Sequence, residues 1–453
     1  MKFQISNIVV DGKSTTLSYP TFGNENVFTI LVGKNASGKT KILSKIANSY
    51  IFNKEKFIFQ REIFEANNSQ QEPSQVIAVS NSRFDRFPDP YRSIFSRDRY
   101  ETHSNQKVFD VDYHYLGLGS YRSSPHIIIS NAVAPIINGL ENNKKNPEVI
   151  AKMLDYIGFL PAFHIELKRS RPAKEFYPKL YPQELISLLY EEFQHACAFH
   201  KNKSIRIFNF EEEILPGLLY FTSQNPKNKS LSYNIDLVND GRENREFYEI
   251  SKYLPSLIEC GLFTVTKFSL FNKTTKDKLP MHLASSGQQC MLLMFFGMAG
   301  VIKDGSLICI DEPEISLHPR WQAEFIETLQ NSFSKYRGCH FVIATHSPQI
   351  VSGLDSENGF VADLESGETL LLSAYSKKSA DFQLAQIFHE PGFKNEYIIR
   401  ILLVILSKLA KRESPTEEDL IKLEAINKIQ HRLEDSDPVL HIFHQVKMLI
   451  GKK

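Results

Sequence analysis

Cysteine, net charge and long apolar runs are all scarce in this sequence of 453 residues, and each absence excludes a class of protein. The five cysteines lie far apart with no CxxC pair, which argues against a zinc ribbon and a disulfide framework. The most apolar run, residues 398–406, is interrupted by Arg400 and is too short to span a bilayer, so we interpret it as a buried helix. The N-terminus lacks the features of a secretory signal. We therefore expect a cytoplasmic protein without membrane contact.

Charges of the two signs are balanced, with 53 Lys and Arg against 52 Asp and Glu and a formal net charge of +1. No global attraction to nucleic acid or membranes follows from this balance. Two local clusters interleave basic with aromatic residues, as contact with a nucleic-acid backbone and with stacked bases would require. A solvated surface or a docking face for an acidic partner explains them equally well, so DNA or RNA binding stays open. The clusters are Arg92, Arg97 and Arg99 beside Tyr91 and Tyr100, and Lys168, Arg169, Arg171, Lys174 and Lys179 beside Phe176, Tyr177 and Tyr181.

Two stretches of the chain alternate strand and helix patterns. An apolar strand at 27–32 leads through a glycine-bearing loop into a helical pattern, and residues 280–345 give helix, strand, helix and strand. Such alternation implies a mostly parallel sheet. Residues 131–275 show helical patterns between polar breaks, with no sustained heptad and no repeat. We also predict a helix in the tail that is capped by Thr416 and Asp419. Its apolar side would be Leu420, Leu423, Ile426, Ile429 and Leu433.

The loop after the first of these strands fits the pattern G-x-x-x-x-G-K-[ST]. Its glycines allow backbone N–H groups and the following helix N-terminus to point at one anion. We expect Lys39 to reach the β- and γ-phosphates of a nucleotide and Thr40 to bind magnesium. An ordinary glycine turn fits less well, because the preceding strand and the following helix stand in the required order. The loop comprises Gly33, Lys34, Asn35, Ala36, Ser37, Gly38, Lys39 and Thr40.

A second apolar strand, residues 307–310, ends in two carboxylates, Asp311 and Glu312. Nucleotide hydrolases hold magnesium with an acidic residue at such a strand end. We expect Asp311 to bind the metal through its water shell and Glu312 to accept the proton of the attacking water. A strand that ends in acidic residues is common and by itself could be a solvated loop. The phosphate loop earlier in the chain favours the magnesium site.

A third apolar strand, residues 341–345, ends in His346. A neutral imidazole there can hydrogen-bond a γ-phosphate or the attacking water, and open parallel sheets bind ligands at the carboxyl ends of their strands. A lone histidine is more often a satisfied polar residue than a catalytic one. Its spacing after Asp311 favours the catalytic role.

Small polar residues precede an apolar helix some two dozen residues before Asp311. A helix N-terminus with small residues makes a second anion site. Because Lys39 already serves the phosphates within the chain, we expect this site to meet the γ-phosphate of ATP bound by a second copy. A serine cap with nothing bound is the alternative. The residues are Ser285, Ser286, Gly287 and Gln288.

In this order the four elements resemble the ATPase heads of the ABC superfamily, in particular the SMC, RecF and OLD-like branch. The resemblance covers most of residues 1–50 and 280–350. It implies a P-loop NTPase that hydrolyses ATP with Mg²⁺ and dimerises head to tail around two ATP molecules. It also implies Walker A at the phosphate loop, the signature motif at 284–288, Walker B ending at Asp311, a catalytic Glu312 and a switch His346.

Residues 311–319, with the sequence DEPEISLHP, resemble a DEPE-x-x-LHP run of the non-transporter ATPases in this branch. The chain departs from transporters at Ala284 and Ser286, where those have leucine and glycine, and its D-loop region lacks the usual aspartate. These departures weaken a transport function and leave ATP binding untouched. For the Q-loop glutamine, Gln75 and the region 80–85 are open alternatives.

Residues 76–88 and 115–118 resemble the ATPases of bacterial anti-phage systems, notably the Septu type and its retron-associated relatives, and residues 381–395 are similar to the C-terminal part of those ATPases. The resemblance implies one subunit of a defence complex whose partner, an HNH-type nuclease in Septu, cuts. We expect no nuclease domain in this chain, because only about 107 residues follow His346 and they have helical patterns. The D-x-D motif at Asp435 and Asp437 follows a helical pattern and does not lie at the end of an apolar strand.

The predicted fold is α/β: an ABC-ATPase head with a mostly parallel sheet flanked by helices and an N-terminal antiparallel β part, a largely helical insert and a helical C-terminal tail. The predicted regions are 1–130 (head, with the phosphate loop), 131–275 (insert), 276–375 (head, with the remaining motifs) and 376–453 (helical, for partner docking). The leading hypothesis is an ATPase dimer or higher oligomer that regulates a nuclease in antiviral defence. A RecF- or SMC-like DNA repair ATPase and an ATP-bound scaffold with little hydrolysis are the alternatives.

Overall fold

A computed structural model describes residues 2–10, 13–21, 23–34, 37–51, 72–82, 85–88, 111–117, 133–134, 136–137, 146–169, 182–200, 209–224, 230–238, 245–353, 357–374 and 378–451. Within these residues, thirteen strands form three sheets. The strands are β1 Asn7–Val10, β2 Lys13–Thr16, β3 Val27–Val32, β4 Val76–Ser80, β5 Tyr113–Gly117, β6 Phe159–Arg169, β7 Ser230–Asp236, β8 Phe263–Asn272, β9 Lys278–Pro280, β10 Leu307–Asp311, β11 His340–Ala344, β12 Gly359–Asp363 and β13 Thr369–Leu371.

The helices of the described residues surround these sheets and make up the tail of the chain. They are α1 Lys39–Ile51, α2 Asn146–Tyr156, α3 Pro182–His200, α4 Leu215–Gln224 (preceded by a π-helical turn, Phe210–Ile214), α5 Arg245–Ser251, α6 Leu254–Glu259, α7 Ser286–Val301, α8 Pro319–Phe333, α9 Pro348–Ser352, α10 Ala380–Gln386, α11 Glu396–Ala410, α12 Glu417–Ile429 and α13 Pro438–Ile450. None of them is long and apolar enough to cross a membrane.

The largest sheet has seven strands in the order β13-β12-β3-β11-β10-β4-β5. The neighbours from β12 to β5 all pair in parallel, and only β13 at one edge is antiparallel. β3, β4, β10, β11 and β12 are buried along their whole length. Because both faces are covered, these strands are near-continuous apolar runs. The mixed α/β fold with a mainly parallel sheet flanked by helices, predicted from sequence, is confirmed.

Alternate side chains of each central strand pack into two different cores. In β10, Ile308 and Ile310 join the large core with α7 and α8, whereas Leu307 and Cys309 join a second core on the opposite face with α1. This alternation is the period of two expected of a strand. It fixes the strand ends, and therefore the side chains that follow them, at one edge of the sheet.

The N-terminal β part is present as the antiparallel pair β1–β2. The insert region contains the expected helices, from α2 to α6, and also three strands of an antiparallel sheet of order β7-β6-β8-β9 that the sequence analysis did not predict. Pro161 and a register shift between Phe159 and Phe163 interrupt β6. Proline within an apolar run argues against a strand, and a bulge disturbs its alternation, so the pattern was obscured.

The C-terminal helices α11, α12 and α13 pack on each other around a separate apolar cluster that includes Leu402, Ile426 and Phe443. Thr416 and Asp419 form the predicted capping box of α12. Two expectations for this region were wrong in detail. Leu420 is half exposed instead of lining the core, and α11 is buried on one face only, since Leu403 and Val404 are each 50% exposed. The division of the chain into four regions stays a prediction.

Candidate nucleotide site

The polar residues predicted for catalysis follow three neighbouring strands of the large sheet. β11 pairs with β3 on one side and with β10 on the other, so that Leu31, Ala344 and Asp311 lie in one row. The residues after these strands therefore meet at the carboxyl edge of the sheet, where open parallel sheets bind ligands. The structure brings together the phosphate loop, the Asp311–Glu312 pair and His346.

The phosphate loop depends on two glycines with positive φ. Gly33 has φ +149° and Gly38 φ +93°. A Cβ on Gly33 would lie 2.8 Å from Ser37 Oγ, so no larger residue fits without a shift of the loop. Ser37 N–H donates to Lys34 O at 3.1 Å, which closes the turn. Asn35 and Ala36 lie outside the described residues.

Lys39 is buried and its ammonium is held inside the loop. Its Nζ donates to Gly33 O at 2.7 Å and to Lys34 O at 3.0 Å. Burial lowers the pKa of Lys39 to about 8, while the negative charges of Glu312 and Glu314 oppose that decrease. The lysine therefore remains mostly a cation at neutral pH.

Asp311 is almost completely buried, and only one of its carboxylate oxygens has a partner. Thr40 Oγ1 donates to Asp311 Oδ1 at 3.1 Å, while Oδ2 is buried without a hydrogen bond. Burial raises the pKa of Asp311 to about 7, the Thr40 hydroxyl lowers it, and the nearby carboxylates of Glu312 and Asp85 raise it further. An oxygen pair of one carboxylate and one hydroxyl, with an unpartnered buried atom, suits Mg²⁺, which prefers oxygen ligands and keeps part of its water shell. These residues fit the ion.

Glu312 lies at a strained point of the backbone. Its φ is +48°, in the left-handed region that a non-glycine residue rarely adopts, and its N–H donates to Ala344 O at 2.9 Å. Ser316, four residues later, has φ +66°. The chain thus turns sharply directly after β10, and the partly buried Glu312 side chain stays at the edge of the sheet. Strain of this kind is often found at functional sites.

His346 is half buried beside the lysine of the phosphate loop. Its Nδ1 is 3.5 Å from Lys39 Nζ. Burial lowers the pKa of His346 to about 4, and the charge of Lys39 lowers it as well. The ring is therefore neutral at physiological pH, which is the form predicted for contact with a phosphate or a water molecule.

The signature residues form a helix cap in this chain. Ser285 is the N-cap of α7 and shares a capping box with Gln288, whose Nε2 also donates to Ile157 O at 3.2 Å. A Cβ on Gly287 would lie 2.9 Å from Ser316 O and 2.9 Å from the Trp321 ring, so only glycine allows the helix to approach the turn after β10.

Ser285 and Ser286 are exposed. Among the described residues, the hydrogen bonds of the signature residues do not join them to the phosphate loop of their own chain. Their contact with a second copy therefore stays a prediction.

Two residues that the sequence analysis did not single out complete the site. Glu314 accepts hydrogen bonds from the chain at the end of β11, and Glu365, after β12, contacts the phosphate loop. Glu314 belongs to the DEPE run quoted above, which is the signal that could have identified it. Glu365 has no such signal, because only the folded chain places it near residue 34.

Glu365 connects the phosphate loop to the C-terminal helices. Its Oε1 accepts from Lys34 N at 3.0 Å, and its Oε2 accepts from Arg432 Nη2 at 3.3 Å. The other end of the Arg432 guanidinium donates to His389 O at 2.5 Å. The Glu365 carboxylate thus binds a backbone amide of the phosphate loop and an arginine of the C-terminal tail.

Some of the sequence-based alternatives were wrong. Gln75 precedes β4 at the opposite edge of the sheet, is fully buried, and donates to Val301 O and Ser306 Oγ, so it supports the fold instead of the nucleotide site. Arg169 is buried in a bidentate pair with Glu192 and is not available to nucleic acid. Apart from Lys168, the remaining residues of both basic clusters lie outside the described residues.

The His318–Pro319 pair of the DEPE-x-x-LHP run begins a helix. His318 is the N-cap of α8 and accepts from Arg320 N, and Pro319 occupies the first turn, where a missing N–H costs nothing. Leu317 is buried in the large core. The second half of this run thus holds α8 in place, while the first half supplies the acidic side chains.

A family model described as "AAA domain, putative AbiEii toxin, Type IV TA system" matches residues 28–352 of the chain. The match contains the phosphate loop, the Asp311–Glu312 pair and His346.

Three curated relatives match short segments of the chain. The retron Vc95 probable ATPase of Vibrio cholerae serotype O1 biovar El Tor is 26% identical over 92 residues, 20% of this chain and 17% of the relative. The retron Ec83 probable ATPase of Escherichia coli is 39% identical over 56 residues, 12% and 10% of the two chains. Protein ea59 of Escherichia phage lambda is 34% identical over 83 residues, 18% and 16%. Each match spans less than a fifth of the relative.

Two solved structures are distantly similar. The Smc head domain of Pyrococcus furiosus, bound to the C-terminal domain of ScpA, shares 12% identity with coverage of 83% of this chain and 98% of that chain, at a TM-score of 0.31. An ATP-binding cassette of an ABC transporter in its ADP conformation shares 12% identity with coverage of 81% and 87%, at a TM-score of 0.25. At these scores the likeness carries no conclusion about function.

Proposed function

The chain belongs to the AAA domain family whose model matches residues 28–352, and from this premise we propose that it binds ATP with Mg²⁺ and hydrolyses the γ-phosphate at the carboxyl edge of the large sheet. One observation carries the proposal: Lys39, Thr40, Asp311 and His346 come from three separate strand ends and lie within contact distance of one another in pairs. A set of this composition matches the parts needed for phosphoryl transfer.

Each side chain has a distinct part in the reaction. The backbone N–H groups of residues 33–40 and the N-terminus of α1 hold the phosphates, and Lys39 neutralises the β- and γ-phosphates. Thr40 and Asp311 hold the magnesium ion and its water, and the ion supplies neutralisation of charge on the phosphate oxygens. Glu312 accepts the proton of the attacking water. Neutral His346 donates or accepts one hydrogen bond at the γ-phosphate or the water.

We propose further that ATP is enclosed between two copies arranged head to tail. Ser285, Ser286, Gly287 and Gln288 of one copy would face the γ-phosphate bound by the other. The exposed side chains of Ser285 and Ser286 and the position of the residues at the N-terminus of a sixteen-residue helix support this assignment.

We propose that the ATPase acts in antiviral defence by regulating a nuclease partner, of HNH type if the chain follows the Septu systems. The two retron ATPases among its relatives support a defence role. The partner would dock on the C-terminal helices, where Ile399, Leu403 and Val404 line an open groove of about 440 Å³ on α11. Exposed apolar side chains grouped on one helix face are typical of protein interfaces. DNA or RNA contact stays a prediction, because most of both basic clusters lies outside the described residues.

The first experiment measures ATP turnover of the purified chain with Mg²⁺. We expect Lys39→Ala to abolish binding and Glu312→Gln to keep ATP binding but lower turnover by at least ~100-fold, because a general base is typically worth that much. Glu424→Gln, an exposed carboxylate on α12, is the matched control and should leave turnover unchanged. Equal turnover in wild type and Glu312→Gln would favour a scaffold that binds ATP without hydrolysing it by this route.

The second experiment measures assembly by mass photometry. With ATP and Mg²⁺, Glu312→Gln should form a stable dimer, and adding Ser286→Arg should keep it monomeric because a large cation would occupy the proposed anion site. A nuclease encoded beside the gene should bind the wild type and not the double variant Leu403→Glu, Val404→Glu. Met448→Glu, an equally exposed apolar site on α13, is the control. If no nuclease encoded beside the gene binds, a DNA repair ATPase becomes the favoured hypothesis over a defence ATPase.

A further inference from the structure

The Glu314 side chain lies between the two strand ends that carry the proposed catalytic groups. It belongs to the turn after β10, in which Ile315 N–H donates to Glu312 O at 3.2 Å and Leu317 N–H donates to Glu314 O at 3.0 Å. The left-handed conformations of Glu312 and Ser316 make this turn compact. The turn folds the glutamate side chain back toward the end of β11.

Both carboxylate oxygens of Glu314 hold the backbone and side chains that follow β11. Oε1 accepts from His346 N at 2.6 Å, and Oε2 accepts from Thr345 Oγ1 at 2.9 Å. Thr345 is fully buried, and its Oγ1 also accepts from Ser347 N at 2.9 Å. The carboxylate therefore fixes residues 345–347, and with them the point from which the His346 ring projects toward Lys39.

A carboxylate offers a separate acceptor oxygen to each of these two donors, whereas a glutamine of the same length has one acceptor oxygen. Charge-assisted hydrogen bonds to a carboxylate are shorter and stronger than those between neutral groups. Burial raises the pKa of Glu314, and its bonds with His346 N–H and the Thr345 hydroxyl lower it. The net result is a pKa above the usual value for a glutamate, and the two donors aimed at the carboxylate favour its charged form next to Glu312.

We propose that Glu314 is a positioning residue for ATP hydrolysis, which acts through His346 by fixing the chain that carries this ring. The proposal rests on the proposed function, and it assigns to Glu314 a role distinct from that of the proton acceptor Glu312. Glu314 contributes to the rate by holding His346 beside the γ-phosphate, and it takes no part in proton transfer.

A double-mutant cycle in ATP turnover tests this role. We expect Glu314→Ala to lower kcat by at least ~10-fold with KM changed less than about twofold, since the group acts after binding. In a His346→Ala background the same substitution should change kcat less than about twofold, because residues that act as one unit are not additive. Glu327→Ala, an exposed carboxylate on α8, is the matched control and should have no effect in either background. An equal loss of kcat in both backgrounds would overturn the proposal.

Two further measurements keep the test independent of folding and of the proposed function. If the alanine variant does not fold, Glu314→Gln takes its place in the test. This variant retains the size of the side chain and one acceptor oxygen, so it should fold and give an intermediate kcat. Amide hydrogen exchange at His346, measured without nucleotide, should accelerate at least ~10-fold in Glu314→Gln or Glu314→Ala because the bond at Oε1 weakens or is lost. Unchanged exchange contradicts the inference even where ATP turnover is absent, whereas absent turnover with accelerated exchange contradicts only the proposed function.

Discussion

Strand β11 begins with His340, and His346 follows its end. The two histidines therefore lie at opposite ends of one strand, with His346 at the carboxyl edge of the sheet and His340 at the other edge. Their pKa values are both lowered by burial, to about 3 for His340 and about 4 for His346. Their partners differ. His340 accepts a hydrogen bond from Ile5 N at 3.0 Å through Nδ1, and its Nε2 is 2.9 Å from Thr29 Oγ1. The His346 ring has a longer contact, 3.5 Å from Nδ1 to Lys39 Nζ.

The partners of His340 define its tautomer. Because Nδ1 accepts from an N–H group, the proton must be on Nε2, which donates to the Thr29 hydroxyl, and that hydroxyl donates in turn to Leu17 O at 2.9 Å. Every polar atom of the ring is satisfied by the fold itself. At the other edge, Asp311 Oδ2 has no partner and Lys39 is held by carbonyl groups. Buried polar groups with complete partners stabilise the fold, and those with incomplete partners are available to a ligand.

The largest expected effect is a loss of stability when His340, at the beginning of β11, is replaced. His340→Ala removes a fully buried ring, leaves Ile5 N–H without its acceptor and removes the donor to the Thr29 hydroxyl, which keeps its bond to Leu17 O. The free energy of unfolding should therefore fall by about 3 kcal/mol. Urea unfolding followed by circular dichroism measures this change. Turnover per folded molecule should stay close to that of the wild type. A loss below about 0.5 kcal/mol would mean that His340 does not stabilise the fold more than His346 does.

His346→Ala should show the opposite effects. We expect ATP turnover to fall about a hundredfold, because a positioned hydrogen-bonding group at the reacting phosphate is lost. The free energy of unfolding should change by less than about 0.5 kcal/mol, since the half-buried ring has no complete set of partners to lose. Steady-state kinetics and urea unfolding of the same preparation give both values. A variant that unfolds easily but keeps its turnover would reverse the comparison.

An effect of intermediate size is expected in the pH dependence of the free energy of unfolding, to which His340 contributes. The pKa of His340 in the folded protein, about 3, lies below the usual histidine value of 6.5, so the unfolded state binds the proton first as the pH falls. Its contribution is complete above pH 6.5 and is lost as the pH falls toward 3, with a slope of at most about 1.4 kcal/mol per pH unit. His340→Asn keeps an acceptor for Ile5 N–H and removes the titrating group. Unfolding curves of this variant should depend less on pH in that window than those of the wild type.

The smallest effect concerns the charge beside His346. Lys39→Met removes the second cause of its lowered pKa, so the pKa of His346 should rise above about 4 and remain below 6.5, because burial, the larger cause, persists. The pKa of His340 should not change, since the charge that contributes there is that of Lys2. Nuclear magnetic resonance titration of the two ring signals measures both values. An equal rise at both histidines would count against this assignment of causes.

The parts of the site that the sequence predicted are local in the chain. The phosphate loop, the acidic pair and His346 each follow an apolar strand, and the strand and its loop can be identified together from neighbouring residues. The cap of α12 by Thr416 and Asp419 was predicted for the same reason. Local patterns also gave the mainly parallel sheet, because strands that alternate with helices leave few other arrangements.

The parts that were missed depend on residues distant in sequence. Ile5 and His340 are 335 residues apart, and Lys34 and Glu365 are 331 apart, so neither contact leaves a mark on a nearby pattern. The antiparallel sheet of the insert was hidden by Pro161. The apolar composition of residues 398–406 predicts burial on all sides, yet the helix exposes one face, which includes Leu403 and Val404.

The link through Glu365 makes Arg432 a counter-ion of the phosphate loop. Glu365 Oε2 is also 3.6 Å from Lys34 Nζ, so Arg432 supplies part of the positive charge that balances this carboxylate. A protein that draws Arg432 away on docking to the C-terminal helices would reduce that balance beside Lys34 N, and the carboxylate would then repel a triphosphate more strongly. Thermodynamic reciprocity then requires that bound nucleotide oppose the same displacement to an equal degree. The tail of the chain is thus part of the electrostatic environment of the proposed ATP site, although more than 390 residues separate Arg432 from Lys34 in sequence.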